Sequence, residues 1–143
     1  MKKGFTLIEL LVVATIIILL AGSGIVTYSQ FMRKSRDERR KTDLENIRAA
    51  LEMYRSDNDS YPDQLSDLTG GSTKYLEQIP TDPKDPDYIY VYSPSPSGCD
   101  EVTQVCTDYT LFAYLETGAT CSVTTPSCGN ATCNYCVGPY GKK

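Results

Sequence analysis

Two sets of residues have types and spacings that could carry chemistry: a lone glutamate, Glu9, inside an apolar run, and six cysteines, Cys99, Cys106, Cys121, Cys128, Cys133 and Cys136. Glu9 is the only charged side chain among the 28 residues from Phe5 to Met32. Unpaired at mid-membrane, such an acid costs about 2.5–3.5 kcal/mol, so it requires a cationic partner. The cysteines admit two chemistries. Cys133 and Cys136 form a C-x2-C, and with Cys121 and Cys128 they could supply a four-thiolate zinc site. The chain has no histidine and all six cysteines follow residue 98, downstream of an apolar N-terminal segment. That favours disulfides in an oxidising compartment. A Cys99–Cys106 bridge would staple a long loop at 93–108. The other four can pair in three ways. Cys121 with Cys136 and Cys128 with Cys133 is the favoured pairing, because Cys133 and Cys136 would point to opposite faces of a strand.

Nothing else in the sequence makes a catalytic constellation. There is no phosphate loop, no nucleophile motif and no carboxylate pair of fixed geometry. No catalytic residue, metal or cofactor is therefore assigned. Asp82, Asp85 and Asp87 lie among prolines and lack an EF-hand pattern, so they read as turn formers. Asn58-Asp59-Ser60 and Asn130-Ala131-Thr132 match a glycosylation sequon too short to exclude chance. The eleven tyrosines are ordinary strand and contact residues.

One long helix must position Glu9. No proline occurs between Phe5 and Pro62, and residues 5–32 span about 42 Å at a helical rise of 1.5 Å per residue, more than a hydrocarbon core of about 30 Å. Gly22 and Gly24 weaken this stretch or let helices pack closely. Over 33–56 the helix turns amphipathic, with Leu44, Ile47, Leu51 and Tyr54 in one stripe. Arg39, Arg40, Asp43, Glu45, Arg48, Glu52 and Arg55 are left to solvated faces, with Glu45–Arg48 and Glu52–Arg55 as i,i+3 pairs. A globular head at 57–143 follows. Its connector, 57–87, is a stiff surface segment holding Pro62, Pro80, Pro83 and Pro86. Its sheet and cysteine-rich region, 88–143, begins with a strand at Tyr88–Tyr92 that turns Ile89 and Val91 onto the helix stripe. A second strand, Tyr109–Glu116, pairs with it as a hairpin and faces Leu111, Ala113 and Leu115 inward. A short strand falls around Asn134–Val137. The fold class is α+β.

The net charge of −4 argues against general nucleic-acid binding. Orientation is in conflict: Arg33, Lys34, Arg36, Arg39, Arg40 and Lys41 outnumber Lys2 and Lys3 across the apolar run, which by the positive-inside rule alone puts the head in the cytosol. The cysteines place it outside, and they are given precedence. A cleaved secretory signal ending near Ala21-Gly22-Ser23 is the competing reading, disfavoured by the length of the run and by Glu9.

The residues Lys3-Gly4-Phe5-Thr6-Leu7-Ile8-Glu9-Leu10-Leu11-Val12-Val13-Ala14 resemble the N-terminus of type IV pilins and of type II secretion pseudopilins. The connector, with Tyr61-Pro62 and Tyr75-Leu76 followed by Ile79-Pro80 and Asp82-Pro83, is similar to that of the same family. The resemblance implies a leader at 1–4, cleavage between Gly4 and Phe5 by a prepilin peptidase, and N-methylation of Phe5. It also implies a role for Glu9 in assembly, paired with the amine of a neighbouring copy. The implied fold is pilin-like, with a small antiparallel sheet on the helix. The implied partners are copies of the chain in a helical filament, the peptidase, an inner-membrane assembly platform and membrane lipid. A calcium loop typical of major pseudopilins is not recognisable near the C-terminus. That shifts the expectation toward a non-enzymatic pilus subunit rather than a secretion pseudopilin, with a non-polymerising surface anchor as a further alternative. Expected location is a single-pass anchor with an extracytoplasmic head, then a cell-surface or periplasmic filament. Intact-mass analysis of protein extracted from cells should give a methylated chain starting at Phe5; a start near Ser23 would establish the signal peptide instead.

Overall fold

The computed structural model describes residues 4–71, 73–100 and 103–143, apart from the side chains of 23–26. The leader lysines Lys2 and Lys3 lie outside the described residues. The chain forms two compact units, Met1–Ser35 and Arg36–Lys143, and a single helix, α1 (Leu7–Asn58), contributes to both. It runs through Gly22 and Gly24 without a break.

In the first unit every described side chain from Phe5 to Ala21 is exposed, Phe5 and Leu7 by 81% and Leu19 by 74%. Among the described residues, one helix is long and apolar enough to cross a membrane. Apolar area of this extent has no counterpart on a soluble monomer and requires lipid or other protein against it.

The second unit is built on the amphipathic half of α1. Leu44, Ile47, Leu51 and Tyr54 are buried, and Ala50 joins them. Against this stripe lies a four-stranded antiparallel sheet of order β1-β2-β3-β4, with β1 at Val91–Ser95, β2 at Asp108–Ala113, β3 at Tyr135–Gly138 and β4 at Gly141–Lys142. Val91 faces Phe112 across β1–β2, and Phe112 faces Cys136 across β2–β3. One sheet face supplies Tyr109, Leu111, Ala113 and Val137 to the core on α1. The other carries Phe112 and Cys136 and is covered by Cys128 and Cys133 in a second, smaller cluster.

The first strand differs from the expected Tyr88–Tyr92. It starts three residues later, and its inward parity is reversed: Ile89 is 43% exposed and Val91 packs in the outer cluster, while Tyr90 and Tyr92 pack on the main core. The hydroxyls decide this. Tyr90 donates to Asp43 Oδ2 at 2.8 Å and Tyr92 to the Pro62 carbonyl at 2.7 Å, so each partly buried ring packs on the core with its polar end satisfied. The connector is also less superficial than expected, since Tyr61 and Pro62 are fully buried. Tyr61 meets the Tyr109 ring edge-on at 4.7 Å. Glu52 and Arg55 form no i,i+3 pair; instead Arg55 donates to the Tyr61 hydroxyl at 2.9 Å and that hydroxyl donates to Glu52 at 3.1 Å. Glu45 and Arg48 do pair, at 2.9 Å.

The largest departure from the expected solvated face is Arg40, which is fully buried. Its guanidinium donates to both oxygens of Asp82, at 2.7 and 2.9 Å, to Asp37 at 2.8 Å and to Glu116 at 3.1 Å. Arg36 grips Glu116 with two bonds of 2.7 Å, and Lys84 adds a third cation at 3.2 Å. Asp37 in turn accepts from the Glu116 and Thr117 N–H groups and from the Thr117 hydroxyl. Asp82, expected to be a turn former, does accept the Lys84 N–H, but its chief role is to hold the connector to α1. Three cations meet three carboxylates, so a buried cluster is satisfied without leaving a lone charge.

The Arg36 bonds, opposed by burial and aided by Lys84 and Arg40, hold the Glu116 carboxyl down at about 2. Burial pushes Asp37 up, but the Thr117 hydroxyl and the two N–H donors outweigh it and hold Asp37 below the ordinary carboxylate range. For carboxylates depressed on folding, the contributed stability is complete above the unfolded value, 4.5 for Glu116, and is lost as pH falls toward about 2. Urea unfolding in detergent, followed by tyrosine near-ultraviolet circular dichroism, should therefore give a midpoint that declines across that acid window and is insensitive to these groups at neutral pH. Arg40→Ala leaves three carboxylates short of a cation and should cost about 3–5 kcal/mol at pH 7; a loss below about 1 kcal/mol, the scale of an exposed pair, would show that the cluster is not buried in solution.

Candidate assembly site and disulfide-closed end

The sequence points to the start of α1. Thr6 is the N-cap and Glu9 the third helical residue, an arrangement in which cap and acid satisfy each other. The Thr6 N–H and hydroxyl both donate to Glu9 Oε2 at 2.8 Å, and the Glu9 N–H reaches back to the Thr6 hydroxyl oxygen at 3.4 Å. Both donors fall on one carboxylate oxygen. Gly4 and Phe5, the expected cleavage residues, precede the cap in exposed, non-helical chain, where a protease can reach the peptide bond. The capping role of Thr6 is readable from the spacing Thr6-x-x-Glu9.

The cysteines lie at the opposite end of the chain and form three disulfides: Cys99–Cys106, Cys121–Cys136 and Cys128–Cys133, with Cα separations of 5.2, 5.5 and 5.1 Å. The first closes the loop between β1 and β2 and packs in the main core. The second ties β3 to the segment before it. The third makes a small loop whose Gly129, at φ +85°, approaches the Asp87 carbonyl so closely that a Cβ there would lie 2.5 Å from it. Hydrogen bonds from Ile89 N to the Cys128 carbonyl and from Asn130 N to the Asp87 carbonyl fasten that loop to the connector. Among the described residues no group of three His, Cys, Asp or Glu side chains is placed to hold a metal.

Residues 28–109 match the family model of type II secretion system (T2SS) protein G, and residues 1–25 match the prokaryotic N-terminal methylation motif. The chain belongs to the type II secretion protein G family. It is 31% identical over 114 residues to a type II secretion system core protein G of Vibrio cholerae, covering 71% of this chain and 77% of that protein. A core protein G of Klebsiella michiganensis is 32% identical over 113 residues, 68% of this chain and 78% of the relative. The type IV major pilin protein PilA of Myxococcus xanthus is 35% identical over 67 residues, covering 47% of this chain but 30% of that pilin. No solved structure matches. The family match ends at Tyr109, so Cys121–Cys136 and Cys128–Cys133 lie beyond it. With this apolar helix and this family, the chain is a membrane-anchored protein with an extracytoplasmic head, and its pilin-like α+β fold is the one expected of such a head.

Glu9→Leu and Glu9→Ala remove the carboxylate while leaving the head network untouched. Both should be inserted, processed and disulfide-bonded normally, with filament yield per processed subunit falling at least about tenfold if a desolvated charge pair is lost. Undiminished filaments from both variants would remove Glu9 from assembly.

Proposed function

We propose that this chain is a non-enzymatic structural subunit that polymerises through α1 into a filament. One observation carries the reading: an exposed apolar stretch of α1, up to Met32, whose single acid is satisfied among the described residues at only one oxygen. Oε2 takes both Thr6 donors, while Oε1 has no hydrogen bond among the described residues. Cleavage after Gly4 by a prepilin peptidase creates an amine at Phe5, which methylation leaves basic. In a bundle of such helices the amine of one copy pairs with Glu9 of its neighbour. Water is scarce there, so an unpaired carboxylate is costly and a wrongly registered subunit is rejected.

Within that class the protein G match over most of the head favours the pseudopilin of a type II secretion system. The expectation of a pilus subunit stands as the second reading. It is supported by the region after Tyr109, where two disulfides and a small apolar cluster close the head in place of the calcium loop of major pseudopilins. Partners under either reading are copies of the chain, the peptidase, the inner-membrane platform and lipid.

Negative-stain microscopy with antibody to the head, on sheared surface material and on periplasmic extract, tests both levels. Labelled surface fibres at native expression support the pilus. A deletion strain that fails to export secreted enzymes, with no surface fibre in its parent, supports the pseudopilin. Antigen found only as a membrane monomer would defeat both.

A further inference from the structure

The head has a groove of about 600 Å³ between the Lys41 turn of α1, the end of β2, the turn at 118–120 and the β3–β4 edge. Its lining joins apolar surface, from Leu115, Ala119 and Tyr135, to two ammonium groups, Lys41 and Lys142, and includes no carboxylate. Lys142 lies with its Nζ 5.9 Å from the Tyr135 ring centre. Lys41 is held by Glu38 at 2.9 Å, yet both partners remain partly exposed, at 38% and 58%. At the other end of the head-borne part of α1, the sequence from Ser56 to Thr73 carries Asp57, Asp59, Asp63 and Asp67 with no lysine or arginine. Asp57, Asp63 and Asp67 line one open face together with Asp100. One head thus bears a lysine-flanked groove and an acidic tip, separated by the 16 residues from Lys41 to Asp57, about 24 Å along a helix.

We infer that the groove is a docking surface for the acidic tip of a second copy of this chain, head to head along the filament. The inference rests on the polymerisation proposed above. Copies stacked parallel cannot match like to like, because two acidic tips or two lysine grooves repel. An axial offset of about 24 Å brings the Asp57–Asp67 tip of one copy level with Lys41 of the next. The apolar lining then excludes water around the ion pairs, and the offset becomes a register set by charge, outside the membrane and independent of Glu9.

The test is a charge swap in the full-length chain. Lys41→Glu with Lys142→Glu, and separately Asp57→Lys with Asp63→Lys, alter exposed or partly exposed groups outside the Arg40 cluster, so processed, disulfide-bonded subunit should accumulate at the wild-type level. Each pair alone should lower filament yield about tenfold or more through like-charge contacts, and all four together should return it to within about twofold. Wild-type filaments should also shorten in 1 M salt, where screening acts over about 3 Å. Wild-type yield from either pair, or no recovery in the combination while wild-type filaments form, overturns the docking surface and leaves the filament reading intact. A wild-type chain that forms no filament overturns both.

Discussion

The burial of Arg40 is the constraint on which the head depends. Its four short bonds join residues distant in sequence, since Asp82 comes from the connector and Glu116 from the turn after β2. A guanidinium suits this position because its planar fork gives paired bonds to one carboxylate while its remaining donors serve others. Lysine, a point charge with no such fork, could not hold Asp82 through two bonds and Asp37 and Glu116 through a third nitrogen. The cost of drying these charges is offset only because every one is bonded, and the same condition makes the arrangement specific. A slip of α1 by one residue would rotate Arg40 away from Asp82 and leave both unpaired in the interior.

Tyrosines and disulfides extend the same logic to the rest of the unit. Tyr90, Tyr92, Tyr61 and Tyr109 each bring ring area to a small core and end in a bond to Asp43, Pro62 or Glu52. Among the described residues no helix covers the opposite face of the sheet. Phe112 is instead roofed by Cys128, Cys133 and Cys136, which bury as small apolar groups and fix short loops that could not form a layer by packing alone. This is why four of the six cysteines follow β2, where chain without regular secondary structure lies on the sheet. Closing loops of this size contributes a few kcal/mol, on the order of 2–4 for a single bridge.

Periodicity made α1 and its buried stripe legible, because Leu44, Ile47, Leu51 and Tyr54 occur at helical spacing. The hairpin was legible from alternation and from the long loop between its strands. Strand parity was not, since Tyr88-Ile89-Tyr90-Val91-Tyr92 alternates two residue classes that can both be buried. Hydropathy chose Ile89 and Val91; the presence of acceptors at Asp43 and Pro62 chose Tyr90 and Tyr92. Arg40 was hidden for a different reason. Within α1 it is one of six cations between Arg33 and Lys41, and nothing local separates it from its neighbours. Its burial depends on Asp82 and Glu116 arriving from 42 and 76 residues away, information that no window of helical length contains. The Thr6 cap was local and available.

Glu9 and the Arg40 cluster answer the problem of a carboxylate in dry surroundings in opposite ways. In the Arg40 cluster, each buried charge finds its partner within the chain, so folding completes that pairing. At the start of α1, Thr6 supplies donors to one oxygen of Glu9, and among the described residues the other oxygen has none. Proteolysis after Gly4 would add a cation that its own helix can use only poorly, because the Phe5 nitrogen belongs to the residue beside the cap that already occupies Oε2. The remaining oxygen is better served by another molecule. An interaction completed only between copies stabilises assembly without stabilising the monomer. That is the property a subunit needs if it must wait in the membrane before joining a filament.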